Sequence, residues 1–126
     1  MEKINELKRQ NELLREAERL AQIGSYEWDI VTNNFYPSSG LYTIYGLDPH
    51  NDDFNINKFN EIHFNDKDKA SDKINDALKN LSEFDFYKSI ITKNGKEKIL
   101  QVRGKVIHKS KKAIKVVGTS QDITNL

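Results

Sequence analysis

Hydrophobic positions recur every three or four residues along the first 22. Residues 2–22, EKINELKRQNELLREAERLAQ, hold no glycine or proline and are rich in strong helix formers. Ile4, Leu7, Asn11, Leu14, Glu18 and Ala21 fall on one line in alternating steps of three and four, the a/d seam of a coiled coil. Asn11 is a polar residue at an a position, which fixes register, and Glu18 weakens the last turn of the seam. A second apolar line, Leu13, Ala17 and Leu20, lies beside the first, placed to pack back on the rest of the chain. Two arrangements stay open: a helix paired with its copy in a second chain, or one amphipathic helix lying on its own domain.

At Gly24 the period drops to two. Tyr26, Trp28 and Ile30 alternate with Ser25, Glu27 and Asp29, the pattern of a half-buried strand. Thr32-Asn33-Asn34 is turn chemistry and Phe35-Tyr36-Pro37 a short return strand, so residues 25–37 read as a hairpin. Ser38 or Ser39 caps a short helix carrying Leu41, Ile44 and Tyr45 on one face, and Gly46 suits its C-terminus. Residues 47–53 form a loop and 56–62 one or two helical turns. Asn65 caps a longer helix with Asp68 at the capping-box position and a stripe of Ala70, Ile74, Ala77, Leu78 and Leu81. Residues 83–91 alternate with Phe84, Phe86 and Ile90 on one side. Asn94-Gly95 is the strongest hairpin signal in the chain. Residues 98–108 place Leu100, Val102 and Val106 opposite Gln101, Arg103 and Lys105, and residues 113–123 return after Lys109-Ser110-Lys111-Lys112. Strands and helices are segregated, with no βαβ alternation. The fold class is α+β, an antiparallel sheet with short helices on one side and an amphipathic N-terminal helix.

With 126 residues the chain fits one core. A formal net charge of +1 gives no general attraction to nucleic acid or anionic membranes. There is no cysteine, which excludes disulfides, thiolate metal sites, a cysteine nucleophile and a cysteinyl–flavin adduct. No apolar run approaches a membrane span and no signal-peptide core precedes residue 22, so a cytoplasmic protein, or the cytoplasmic part of a larger one, is expected. His50, His63 and His108 are not at metal-ligand spacing. There is no P-loop, serine elbow, HExxH or dinucleotide-binding glycine pattern, so no catalytic residues are assigned. Lys105, His108, Lys109, Lys111, Lys112 and Lys115 read as a solvated edge hairpin, where lysine blocks strand pairing.

Several stretches carry a resemblance in order: IGSYEWDI (23–30), LYTIYGLDP (41–49), HFNDKDK (63–69), NGKEKILQVRGKVI (94–107) and VVGTSQDIT (116–124). Together they resemble a PAS domain of the sensory-box subgroup that opens GSWEWD and closes GTxQDIT. Tyr26 stands for a common tryptophan, Phe64 for the proline after His63, and Asn65 for an acidic residue. The resemblance implies a five-stranded antiparallel sheet over residues 23–124, a linker helix over 1–22, and residues 125–126 opening a truncated output linker. It implies a sensory module of a signalling protein such as a histidine kinase of a two-component system or a diguanylate cyclase, with the effector outside this chain. On that pattern Asp122 and Thr124 mark the signal-relay junction, their side chains suited to free backbone groups at a strand exit. Ile4, Leu7, Asn11 and Leu14 are the expected dimerisation residues of a homodimer. Any small ligand is expected between sheet and helices, walled by Trp28, Leu41, Tyr45, Ile74, Leu78, Phe84, Phe86, Leu100 and Val102. The cofactor is unknown, and His63 matches a common family position rather than a haem signature. The alternatives are a ligand-free dimerisation and relay module, or a small enzyme on a similar scaffold needing an acid or base in the core.

Overall fold

The computed structural model describes residues 2–61 and 67–126. His63 and Asn65 lie outside the described residues, as do the side chains of Asp68 and Ala70.

The helical period over 2–22 becomes α1, Glu2–Ala21. Gln22, with a left-handed φ of 54°, ends it and turns the chain into β1, Ile23–Asp29. β1 returns as β2, Asn34–Pro37. Asp29 accepts from the backbone N–H groups of Val31 and Thr32 in the turn. Three helices follow: α2 Ser39–Tyr45, α3 Ile56–Glu61 and α4 Lys67–Asn80. Ser38 caps α2 by accepting from Leu41 N. Gly46 closes it at φ 68°, a conformation glycine adopts without strain. The chain then runs through β3 Glu83–Ile91, β4 Glu97–Lys109 and β5 Lys112–Asp122.

The five strands order as β2-β1-β5-β4-β3, every pair antiparallel. β1 therefore reaches across the whole chain to lie beside β5, Ile23 opposite Gln121. This order corrects the reading of the lysine hairpin. β4 and β5 are interior strands, and β2 and β3 are the edges. β4 runs past the end of β3, which pairs only as far as Lys105, so the tip at Lys109–Lys112 stands clear of its neighbours and carries exposed lysines. The lysines are solvated, but they do not guard a sheet edge.

The helices cover one face of the sheet. Leu41, Ile44 and Tyr45 of α2, Ile56 and Phe59 of α3, and Ile74 and Ala77 of α4 bury against Phe84, Phe86, Ile90, Leu100, Val102, Val106 and Val116. Aromatic rings dominate one half of this core. Tyr26, Phe35, Tyr45, Phe54 and Phe59 form a linked cluster with centroids 4.7–6.3 Å apart, the spacing that favours tilted and edge-on contacts.

One row across the sheet is built around missing side chains. Tyr26 pairs with Gly118, Gly118 with Gly104, and Gly104 with Phe84. A Cβ on Gly104 would lie 2.0 Å from Phe84 Cζ, and one on Gly118 2.4 Å from the Tyr26 hydroxyl oxygen. The two glycines let the two rings lie down over the strands, and the Tyr26 hydroxyl donates to Arg103 O at 3.2 Å.

Candidate functional site

α1 does not lie on the domain through its second apolar line. Leu13 and Leu20 are exposed, as is Ala17. The contact is made instead by Glu18, the residue that the seam pattern assigns to the helix partner. Glu18 is 6% exposed. Its carboxylate accepts from Ser25 Oγ at 2.8 Å and from Ser38 Oγ at 3.3 Å. Ser38 Oγ also accepts from Ser25 N at 3.0 Å. One carboxylate and two hydroxyls thus tie α1 to the start of β1 and the N-terminus of α2. Glu18→Ala removes two charge-assisted hydrogen bonds, roughly 2 kcal/mol in this setting. The expected result is an order-of-magnitude faster amide exchange over residues 12–21, read by hydrogen-exchange mass spectrometry, with β3 and β4 unchanged.

The two ends of the domain meet beside this contact. Asp122 N donates to Gln22 O at 2.8 Å, and Gln121 Nε2 to Ala21 O at 3.4 Å. Asp122 Oδ1 accepts from Thr124 N at 3.0 Å and from the Thr124 hydroxyl. Thr124 Oγ1 accepts from Ile99 N at 3.0 Å. Lys98 reaches over to donate to Ile44 O at 2.7 Å, and burial holds its pKa below the ordinary lysine value. A cleft of about 530 Å³ opens at this junction, lined among others by Arg15, Arg19, Lys96, Lys98, Asp122 and Thr124. Asp122 and Thr124 therefore sit where the end of the sheet, the start of β4 and the end of α1 come together.

The expected wall residues gather in one core. Leu41, Tyr45, Ile74, Phe84, Phe86, Leu100 and Val102 are buried, and Trp28 and Leu78 are partly buried against them. Trp28 turns its Nε1 outward to Asn33 Oδ1 at 3.0 Å, so only its ring body contributes.

Period two passes over a residue that the structure makes central. Phe84, Phe86, Lys88 and Ile90 share one face of β3, and all are buried. Lys88 is 2% exposed. Its Nζ donates to Phe59 O at 2.9 Å and stands 4.3 Å and 4.8 Å from the ring centroids of Phe59 and Tyr45. Burial lowers its pKa to about 7, with no carboxylate among the causes. Elsewhere in the core, the hydroxyl of Tyr45, the hydroxyl of Ser120 and the side-chain oxygen of Asn60 are buried without a hydrogen-bond partner. Ser120 lies close enough to ease the Tyr45 phenol slightly, yet burial still raises that pKa well above the usual value. The signal was present in the sequence: residue 88 has the same parity as Phe84, Phe86 and Ile90.

The family model described as a PAS fold matches residues 34–120. The chain belongs to the PAS family. Its β2-β1-β5-β4-β3 sheet and helices superpose on solved PAS domains. A sensory box histidine kinase/response regulator from Burkholderia thailandensis E264 aligns with a TM-score of 0.73 and 23% identity, over 89% of this chain and 85% of that one. The N-terminal domain of a diguanylate cyclase with PAS/PAC sensor from Marinobacter aquaeolei aligns at 0.71 and 10%, over 81% and 95%. A light-oxygen-voltage domain studied with a flavin analogue aligns at 0.66 and 15%, over 89% and 85%. At these identities the likeness shows the PAS fold. No curated protein matches the chain.

The residues present do not fit a cysteine-bonded flavin. The chain has no cysteine, and the aromatic cluster from Tyr26 to Phe59 fills one half of the space between sheet and helices.

Proposed function

We propose that this PAS domain is a sensory module that takes a small ligand into its core and passes the change in occupancy to the helices at its ends, and so to an effector of the histidine kinase or cyclase kind. The observation that carries the reading is the junction of chain ends. The last turn of α1, the end of β5 and the start of β4 are joined through Glu18, Gln22, Asp122 and Thr124. A shift of β4 or β5 in response to the core moves hydrogen bonds that also hold α1. Such coupling requires the ligand to bind two arrangements of the domain with different affinity. Native mass spectrometry of the purified protein beside a denatured control tests it. Extra mass that leaves on denaturation supports a resident ligand. Bare protein favours the second reading, a ligand-free dimerisation and relay module.

A specific feature favours keeping that second reading. α1 presents Ile4, Leu7 and Leu14 to solvent, Leu7 at 60% and Leu14 at 59% exposure, with Asn11 between them. We infer that this stripe pairs with its copy in a second chain. Leu7→Lys with Leu14→Lys places two cations in the seam of each helix, and sedimentation equilibrium is expected to show monomers where the wild type shows dimers. An unchanged dimer removes α1 from the interface.

A further inference from the structure

We propose that Lys88 anchors a small monocarboxylate anion in the core, with the Tyr45 and Ser120 hydroxyls as its other hydrogen-bond donors. The proposal rests on the core-sensing reading above and names the chemistry of the ligand.

An ammonium has three donors. Lys88 uses one on Phe59 O, and the Phe59 and Tyr45 rings lie close to the same nitrogen. Among the described residues no carboxylate lies within 4.0 Å of its nitrogen. A lysine kept only for packing has cheaper replacements, since methionine fills the same space without a charge to desolvate. Buried polar atoms without partners are uncommon in folded proteins. Here the Tyr45 and Ser120 hydroxyls stand unpartnered on α2 and β5, two elements of the same core. Both can donate. One cation and two hydroxyl donors buried in one apolar core call for an acceptor with negative charge, and a carboxylate offers two oxygens with about four lone-pair sites.

Size follows from the neighbours. The rings of Tyr45, Phe54 and Phe59 pack at 5.2–6.3 Å on the Lys88 side of the core, which restricts the ligand to a few heavy atoms. The place such an anion takes is that of the Phe59 carbonyl. That carbonyl is the acceptor Lys88 has now, and a carboxylate adds to the hydrogen bond an ion-pair attraction that a carbonyl lacks. Binding therefore exchanges the link between β3 and α3 for a link between β3 and the ligand. The Asn60 side-chain oxygen, beside Phe59 on α3, is the third atom without a partner. It accepts rather than donates, and it serves the anion only with its amide turned so that the nitrogen faces inward.

The test uses acetate and propionate as probes, with chloride at equal ionic strength as control. In protein carrying ¹³C-labelled lysine, the Lys88 Cε resonance is followed through a pH titration in each salt. Acetate or propionate is expected to raise the midpoint of Lys88 by one unit or more, a tenfold preference for the charged amine. Tyr45→Phe and Ser120→Ala are each expected to weaken that response severalfold while leaving the fold intact. Lys88→Met is expected to abolish carboxylate-specific thermal stabilisation. Identical Lys88 titrations in all three salts overturn the proposal, and so does carboxylate stabilisation that persists in Lys88→Met. Carboxylate binding without any response at the α1–β5 junction supports the anchor and sinks the relay. A different ligand seen in the native mass spectrum, with Lys88 indifferent to carboxylates, does the reverse.

Discussion

Gly118→Ala is expected to lower the free energy of unfolding by about 3 kcal/mol, measured by urea denaturation at neutral pH. The added methyl meets Arg103 O at 2.3 Å and the Tyr26 hydroxyl oxygen at 2.4 Å. The first is backbone of an interior strand held on both sides, by β3 and β5, and cannot step aside. The second can move only by lifting the Tyr26 ring off the sheet and out of its contacts with Phe35 and Phe59. Lifting it also breaks the bond to Arg103 O and strands a buried phenol. Gly95, with open space around it, gives the contrast. Its left-handed φ of 80° makes Gly95→Ala costly by about 1 kcal/mol through the backbone alone. A Gly118→Ala protein as stable as the wild type would show that Tyr26 does not lie over the glycine pair.

The second large effect is a pH dependence that Lys88→Met removes. Lys88 has a folded value of about 7 against 10.5 for an exposed lysine. Between those values the unfolded chain binds more protons than the folded one, so stability rises with pH. Below about 7 both states are protonated and the cost of burying the charge is paid in full. Between pH 6 and pH 9 the rise is roughly 3 kcal/mol from this group alone. In Lys88→Met the rise disappears. The variant is expected to be more stable than the wild type at pH 6 and to lose that advantage by pH 9, where the wild type keeps a neutral amine on Phe59 O. Lys98, whose value is also lowered, is present in both proteins and cancels in the comparison. Urea midpoints across that range check the prediction. Parallel pH profiles for the two proteins would show that Lys88 titrates as an ordinary lysine.

The local elements were legible because each is decided by its own residues. The 3.6 period set α1, the alternation from Gly24 set β1, and the Ser38-Ser39 pair and Gly46 marked the ends of α2. Non-local facts were not. That Lys109–Lys112 lies at the end of interior strands depends on β1 pairing with β5, and nothing in either segment states its partner. The same register turns Gly104 and Gly118 from two unremarked positions into the bed for two rings. Glu18 shows the limit of a periodic pattern. The seam predicts which side of α1 a residue occupies, but at the last turn that side meets the hydroxyls of Ser25 and Ser38. Lys88 was in plain view by parity, but a charged residue in a strand reads as solvent-facing unless the face is followed through it. A lysine can run its four-carbon stem through the core to reach a carbonyl on α3. The residues expected to wall a ligand gather in one core because large apolar side chains on one face of each element meet there. The polar atoms among them, Tyr45 Oη and Ser120 Oγ, follow only from the packing.

The most direct test of the sensory account is hydrogen exchange of wild type against Lys88→Met, normalised to the slowest amides of β4. The Lys88 side chain touches Phe59 and Tyr45, while its backbone shares a row of the sheet with Leu100 and Asp122. If the core is read by the flanking helices, exchange at residues 16–21 of α1, which lie beyond that row, changes severalfold when Lys88 is replaced. Changes confined to the sheet, α2 and α3 would mean that the core of this PAS domain and α1 are not coupled.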